Sequence, residues 1–250
     1  MDFSAYLAIW EKIGSRYFLV AGVAYLLFYL VLFRWIKSKK IQARNPKTKD
    51  LLREVGFSLF TISLFALVPL FFLTKESVRV YTTFYTDIHE YGMVWFWAAF
   101  PVMLIMHDTY FYWTHRLMHH PALYSYFHRV HHLSVNPSPW AAYAFHPLEA
   151  FVEVGIFVLF LFTIPVHKLH FFLFFFFSIV YNVYGHLGWE LYPRRFARSV
   201  LGRWVNTSVS HNQHHRLARD NYGLYFLFWD RLMGTVRKDY EEAFEDVKKR

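Results

Sequence analysis

The sequence predicts an all-α integral membrane bundle of about four to five spans, topped by a cytosolic helical cap. Three observations lead there. Hydrophobic residues make up 56% of the 250-residue chain and aromatic residues 22%, more than an ordinary soluble domain carries. The apolar residues gather in five runs whose lengths suit membrane helices. Histidines gather beyond the ends of these runs: eight of the 15 fall in His115–His119, His128–His132 and His211–His215.

The first run is Tyr17 to Trp35, between Arg16 and Arg34. Asp2 and Glu11 precede it, without the basic start and cleavage site of a secretory signal, so it is expected to stay as a span. A stretch from Lys37 to Arg53 is rich in Lys and Arg, as a cytosolic loop is. Val55 to Leu73 is the second run, and Tyr91 to Met106 the third, continuing into His107-Asp-Thr-Tyr-Phe-Tyr-Trp-Thr-His115. Leu148 to Ile164 and Leu169 to Tyr184 form a hairpin through Pro165-Val-His-Lys168. The fourth run is short for a full crossing. The rest, Gly185 to Arg250, is polar and amphipathic. With residues 37–53 in the cytosol, every histidine cluster emerges on that same side. The expected division is 1–90 as an N-terminal transmembrane region with its basic loop, and 91–250 as a catalytic domain.

The chain has no cysteine, which excludes disulfides, thiolate ligands and iron–sulfur clusters. Any metal is left to His, carboxylate or water. The net charge of +9 lacks the groove-like stripe with stacking aromatics that marks nucleic-acid binders. It suits an anionic membrane surface or an acidic electron donor.

Neutral imidazole is the commonest side-chain metal ligand, and positions i, i+3 and i+4 share a helix face. His115 and His119, His128, His131 and His132, and His211, His214 and His215 all have this spacing. His186 ends the hairpin on the same side and makes a ninth ligand. So many nitrogens exceed the four that one structural zinc takes. They suffice for two ions with open positions, which points to redox metal, iron, and to oxygen-dependent attack on a C–H bond of a lipid. Three further residues are candidates for catalytic roles. Asp108 is placed to orient a ligand imidazole. Asn182, four residues before His186, either reaches the site through water or joins helices. His146 either lines the pocket or caps a helix. Glu149 and Glu153, at the membrane boundary, are functional or face headgroups. The Glu-x-x-His pattern of soluble di-iron bundles is absent, so the site is histidine-dominated.

From His107 to Thr235 the chain resembles the sterol desaturase/fatty acid hydroxylase superfamily. The residues that carry the likeness are Asp108 with Tyr112-Trp113-Thr-His115-Arg116, the three histidine clusters, Asn136-Pro-Ser-Pro-Trp140, Ala144-Phe-His-Pro-Leu-Glu149, Asn221-Tyr-Gly223 and Trp229-Asp-Arg-Leu-Met-Gly-Thr235. Pro139 to Pro147 and Pro165 to Lys168 look most like sterol C5-desaturases. The resemblance implies a di-iron centre on the nine histidines, oxygen as oxidant and a lipid substrate. Asn182 stands where the family often has another histidine. No cytochrome b5 domain is fused to the chain, so electrons are expected from a separate cytochrome b5-like or ferredoxin-like donor. The expected location is a bacterial inner membrane or the endoplasmic reticulum, with the site on the cytosolic face.

Two rival readings stand beside this one. A metal transporter needs ionisable residues inside its spans, and these spans are nearly free of them. A non-catalytic metal-binding or lipid-binding protein would have no use for so many buried ligands, which cost desolvation. Zinc would also bind such a site in a purified preparation, without redox activity.

Overall fold

A computed structural model describes residues 2–249. Asp2 caps the first helix, its carboxylate accepting from Ala5 N at 3.1 Å. Helix α1 (Phe3–Tyr25) runs on through a π-helical turn, Leu26–Val31, to the short α2 (Phe33–Ile36). Then come α3 (Thr48–Thr74), α4 (Glu76–Arg79) and α5 (Gly92–Met118). The third apolar run and the first histidine pair therefore share one unbroken helix. Pro69 and Pro101 sit inside α3 and α5, which neighbouring helices make tolerable in a membrane bundle. Two short helices follow, α6 (Pro121–Phe127) and α7 (Arg129–His132), and then a 3-10 helix at Pro139–Tyr143. The hairpin is α8 (Pro147–Thr163) and α9 (Lys168–Gly185). The C-terminal part supplies α10 (Ser208–Leu217), α11 (Phe228–Leu232) and α12 (Tyr240–Lys249).

Three helical stretches are long and apolar enough to cross a membrane: Phe3–Val31, Thr48–Thr74 and Lys168–Gly185. Helices α5 and α8 run beside them but fall outside that description. The second half of α5 carries His107, Asp108, His115 and Arg116. Helix α8 has 17 residues, and at about 1.5 Å each they fall short of the hydrocarbon core.

Both turns of the bundle lie at one end. There β1 (Phe84–Tyr85) and β2 (Val166–His167) pair in parallel. At the other end the basic loop meets the cap. Gln42 Nε2 donates to Asn212 Oδ1 at 3.0 Å, and Asn136 Nδ2 to the Arg44 carbonyl at 2.6 Å.

Apolar side chains gain nothing by leaving lipid for the bundle, so close packing and hydrogen bonds hold the helices together. Phe157, Phe160, Phe171 and Phe174 pack with Met103 in one cluster. Tyr110 crosses to α8, its hydroxyl donating to the Val152 carbonyl at 2.7 Å. The N-terminal helices grip the 3-10 helix: Tyr17 Oη and Ser58 Oγ both donate to the Trp140 carbonyl, at 2.8 and 3.0 Å. Glu54 accepts from Ser138 next to it. Tyr143 stacks on Tyr17 with ring centroids 5.3 Å apart, and Phe145 touches the His131 ring. Residues 1–90 thus pack directly beneath the histidine region.

Candidate metal centre

Four elements bring the nine histidines together. His115 lies in the last turn of α5, and His119 caps its end. His128 precedes α7, which holds His131 and His132. His186 caps α9, and His211, His214 and His215 face inward from α10. The second cluster was expected to be one helical face. It is a single turn instead, with His128 at its N-cap. Its rings still converge, because α6 packs against α5 and α8 and brings His131 and His132 of α7 onto His215 and His214 of α10.

The nine rings form two groups, each with nitrogens within 4.8 Å of one another and able to hold a metal ion. One group is His115, His119, His128, His132 and His214; the other is His131, His186, His211 and His215. All are buried except His119, which is partly so. In the first group Nε2 of His115 lies 2.9 Å from that of His128, and His119, His132 and His214 are 3.1–3.2 Å apart. In the second, His186 is 3.1 Å from His211, 3.0 Å from His215 and 3.4 Å from His131.

Protons do not explain these short distances. Nδ1 of His115, His186, His214 and His215 faces the carbonyl of Tyr222, Asn182, Asp220 and Ser134, at 2.8, 2.7, 2.7 and 3.1 Å. A carbonyl only accepts, so the proton sits on Nδ1 and Nε2 is a bare lone pair. Bare lone pairs this close repel unless a cation lies between them. Nitrogens bound at right angles to one ion at about 2.1 Å stand about 3.0 Å apart. The donor set fits a pair of metal ions.

Burial holds His186 and His214 down at about 4. Burial first, then neighbouring imidazoles, push His128, His131, His132, His211 and His215 well below the ordinary 6.5. All are neutral at pH 7, the form that binds metal.

Glu149 braces His128: its Oε1 lies 2.6 Å from Nδ1, and the residue is fully buried. A carboxylate behind a ligand imidazole fixes its tautomer and raises its basicity. This role had been expected of Asp108. Instead Asp108 Oδ1 accepts the backbone N–H groups of Tyr225 and Phe226, at 2.8 and 3.1 Å. Two turns of α5 below His115, it reaches the loop and not a ring. His107 likewise binds the Tyr225 hydroxyl, at 2.9 Å.

Asn182 turns its amide away from the rings, donating to the Ala142 carbonyl at 2.8 Å. Its own carbonyl is what holds His186. His146 is the N-cap of α8, with Nδ1 accepting from Leu148 N at 3.3 Å. Of its two open readings, the capping one describes this geometry.

Several supports were given no role in the sequence reading, although Asp230 lies in the Trp229–Thr235 motif. Asp230 accepts from Tyr222 N, Gly223 N and Thr235 Oγ1, at 2.8, 2.8 and 2.7 Å, and so fixes the carbonyl that holds His115. Burial pushes Asp230 up to about 6. Ala218, Asp220 and Asn221 take positive φ of 53°, 64° and 53°, each a strain of about 1–3 kcal/mol for such residues. That loop aims the Asp220 carbonyl at His214. A surface groove of about 860 Å³ between Arg194, Arg198, Glu242 and Asp246 lies apart from the histidines.

Residues 100–235 match the fatty acid hydroxylase family. The chain belongs to the sterol desaturase/fatty acid hydroxylase superfamily. It is 32% identical over 242 residues to a Delta(7)-sterol 5(6)-desaturase of Gibberella zeae, covering 96% of this chain and 71% of that one. Against lathosterol oxidase of Rattus norvegicus it is 29% identical over 245 residues, with 96% and 76% covered. Against lathosterol oxidase of Homo sapiens the figures are 28% over 236 residues, with 92% and 74% covered. No solved structure matches. Both histidine groups lie wholly within the family match, since their outermost members, His115 and His215, fall inside 100–235.

Proposed function

We propose that this chain is an oxygen-dependent di-iron membrane oxidoreductase that oxidises a C–H bond of a lipid, of sterol or fatty-acyl type, by desaturation or hydroxylation. One observation carries the reading. Two adjacent groups of buried histidines present bare Nε2 lone pairs to one another, as ligands of two ions would. His115, His119, His128, His132 and His214 would hold one iron, and His131, His186, His211 and His215 the other. The chemistry such ions supply when bound is C–H oxidation by oxygen, with two electrons from outside.

The chain's own residues do the rest. The backbone carbonyls at 134, 182, 220 and 222 keep protons on Nδ1 and hold the rings for binding. Glu149 does the same for His128. Phe111 and Phe145 lie against His115 and His131 and keep water off their bundle-facing sides. In this reading Asp108 and Asn182 are positioning residues, acting through the Tyr225 loop and the His186 ring. His146 sets the start of α8 and with it Glu149. Residues 91–250 are the catalytic domain, and 1–90 anchor and brace it.

An apolar groove of about 380 Å³, lined by Arg53, Gly56, Phe57, Phe60 and Pro147, offers a lipid an approach beside the start of α8. On the cap, Arg129, Arg216 and Arg219 are exposed around Leu133, Val135 and Leu217. Arg129 and Arg216 adjoin ligands in sequence, so this face suits a separate acidic electron donor, cytochrome b5-like or ferredoxin-like. The basic loop supports a cytosolic position for this end, in an endoplasmic reticulum or bacterial inner membrane.

The test is mass spectrometry of lipids from cells expressing the wild type or His131→Ala, with iron measured in both proteins. A lipid that loses two hydrogens or gains an oxygen only with the wild type is the expected result. Identical lipids from an iron-loaded wild type supplied with oxygen, donor and sterol would overturn it.

A further inference from the structure

Glu149 and Glu153 stand one turn apart on the same face of α8. Glu149 uses Oε1 on His128, and its Oε2 is buried with no hydrogen-bond partner. Glu153 has neither a hydrogen bond nor an ion pair among the described residues. It shares the face of α8 that buries Glu149, Ile156, Phe157 and Phe160, and its carboxyl lies within electrostatic range of Tyr110 on α5 and of Tyr225. Even so it keeps accessible surface. That surface, on the bundle-facing side of α8, is where a polar group from outside the chain can meet the carboxyl.

Structural duty does not account for Glu153. It ties no helix to another, and it supports no ligand ring. A carboxyl kept in a membrane bundle at such cost is functional by default. No basic side chain faces it, so its partner comes from outside the chain. A lipid cation would have to be desolvated to reach it. A lipid hydroxyl fits better, because it is neutral and both donates and accepts.

We propose that Glu153, with the free Oε2 of Glu149 one turn above it, forms a polar subsite that anchors the hydroxyl group of the lipid substrate. The subsite rests on the lipid-oxidising reading above and adds to it that the substrate is a hydroxylated lipid. Glu153 would hold one end of the molecule a helical turn below the carboxylate that braces His128. The rest of the molecule would then extend toward the five-histidine group.

The test is equilibrium binding of lathosterol and of its 3-O-methyl ether to iron-loaded protein in nanodiscs. The wild type is expected to favour the free alcohol by about tenfold, the worth of one buried hydrogen bond. Glu153→Leu should bind both alike, and Glu153→Gln should keep most of the preference, since an amide also donates and accepts. Equal binding of the two probes by the wild type would overturn the subsite and leave the lipid reading standing. A preference that survives in Glu153→Leu would do the same. Binding of neither probe would sink the sterol reading and the subsite with it. The wild-type comparison needs no variant, so a folding failure of Glu153→Leu does not blunt the test.

Discussion

Each imidazole held by a carbonyl keeps its proton on the outer nitrogen and turns a lone pair inward. The inward nitrogens cannot be reconciled with one another except through a cation. On the proposed reading, His131→Ala and His214→Ala each remove a ligand from a different group, so each should lower bound iron and abolish turnover while the chain still inserts in membranes. Metal analysis beside an activity assay checks this, and normal turnover in either variant would refute the site. Glu149→Ala is milder, since it removes a brace and not a ligand. It should cost about 10–100-fold in metal affinity or activity. Acid should act through the same rings. His186 and His214 sit at about 4 in the fold against 6.5 unfolded, so the unfolded chain takes up protons first as the pH falls. Their contribution to the stability of the metal-free protein is therefore complete above about pH 6.5 and is lost progressively down to about 4. Metal retention should fall over the same interval. Melting temperatures from pH 7.5 to 4.5, with metal measured after dialysis, test both; a flat profile would contradict them.

Short elements with fixed ends set where the rings point. Helix α10 stops at Ala218 in a left-handed conformation, and the loop after it returns carbonyls to His214 and His115. Gly223 makes that return possible. A Cβ there would run into the Phe226 carbonyl and lie 2.9 Å from Asp230 Oδ2. Gly223→Ala should thus cost about 1–3 kcal/mol and loosen His115. The expected readout is a lower melting temperature together with weaker iron retention; an unchanged protein would mean that the loop has slack. This is also the scale at which the sequence is least readable. The histidine spacings marked eight of the nine rings that the fold groups together, and the end of the hairpin marked His186, because side-chain type and interval are written in the letters. Backbone carbonyls at 134, 182, 220 and 222 are common to every residue and leave no such mark. Glu149 was visible as a boundary carboxylate, but its pairing with His128 depends on how α6 and α7 fold back onto α8. Asp108 carried the better local argument for that role, and lost it to the Tyr225 loop.

Across the whole molecule, the hydropathy pattern conveyed the all-α bundle and the clustering of histidines at one end. Three stretches are long and apolar enough to cross a membrane, beside five apolar runs in the sequence, because α5 joins the run that ends at Met106 to a half that carries His107, Asp108 and His115, and α8 is short. The meeting of residues 37–53 with the cap was legible only as a matter of sidedness. In the structure it is direct contact: Lys40 bridges Trp189, Gln42 reaches Asn212, and Asn136 binds the Arg44 carbonyl. That contact makes sidedness a test of the fold as well as of topology. Lys37, Lys39, Lys47 and Lys49 are exposed in or beside the loop, and Arg216 and Arg219 beside the last cluster. Trypsin added to sealed vesicles should cut both regions or neither, and the orientation that exposes them should be the one presenting the cytosolic face. Cleavage of one region with protection of the other, in vesicles of a single orientation, would place a membrane between groups that the structure holds 3.0 Å apart and would refute the arrangement of the helices around the site.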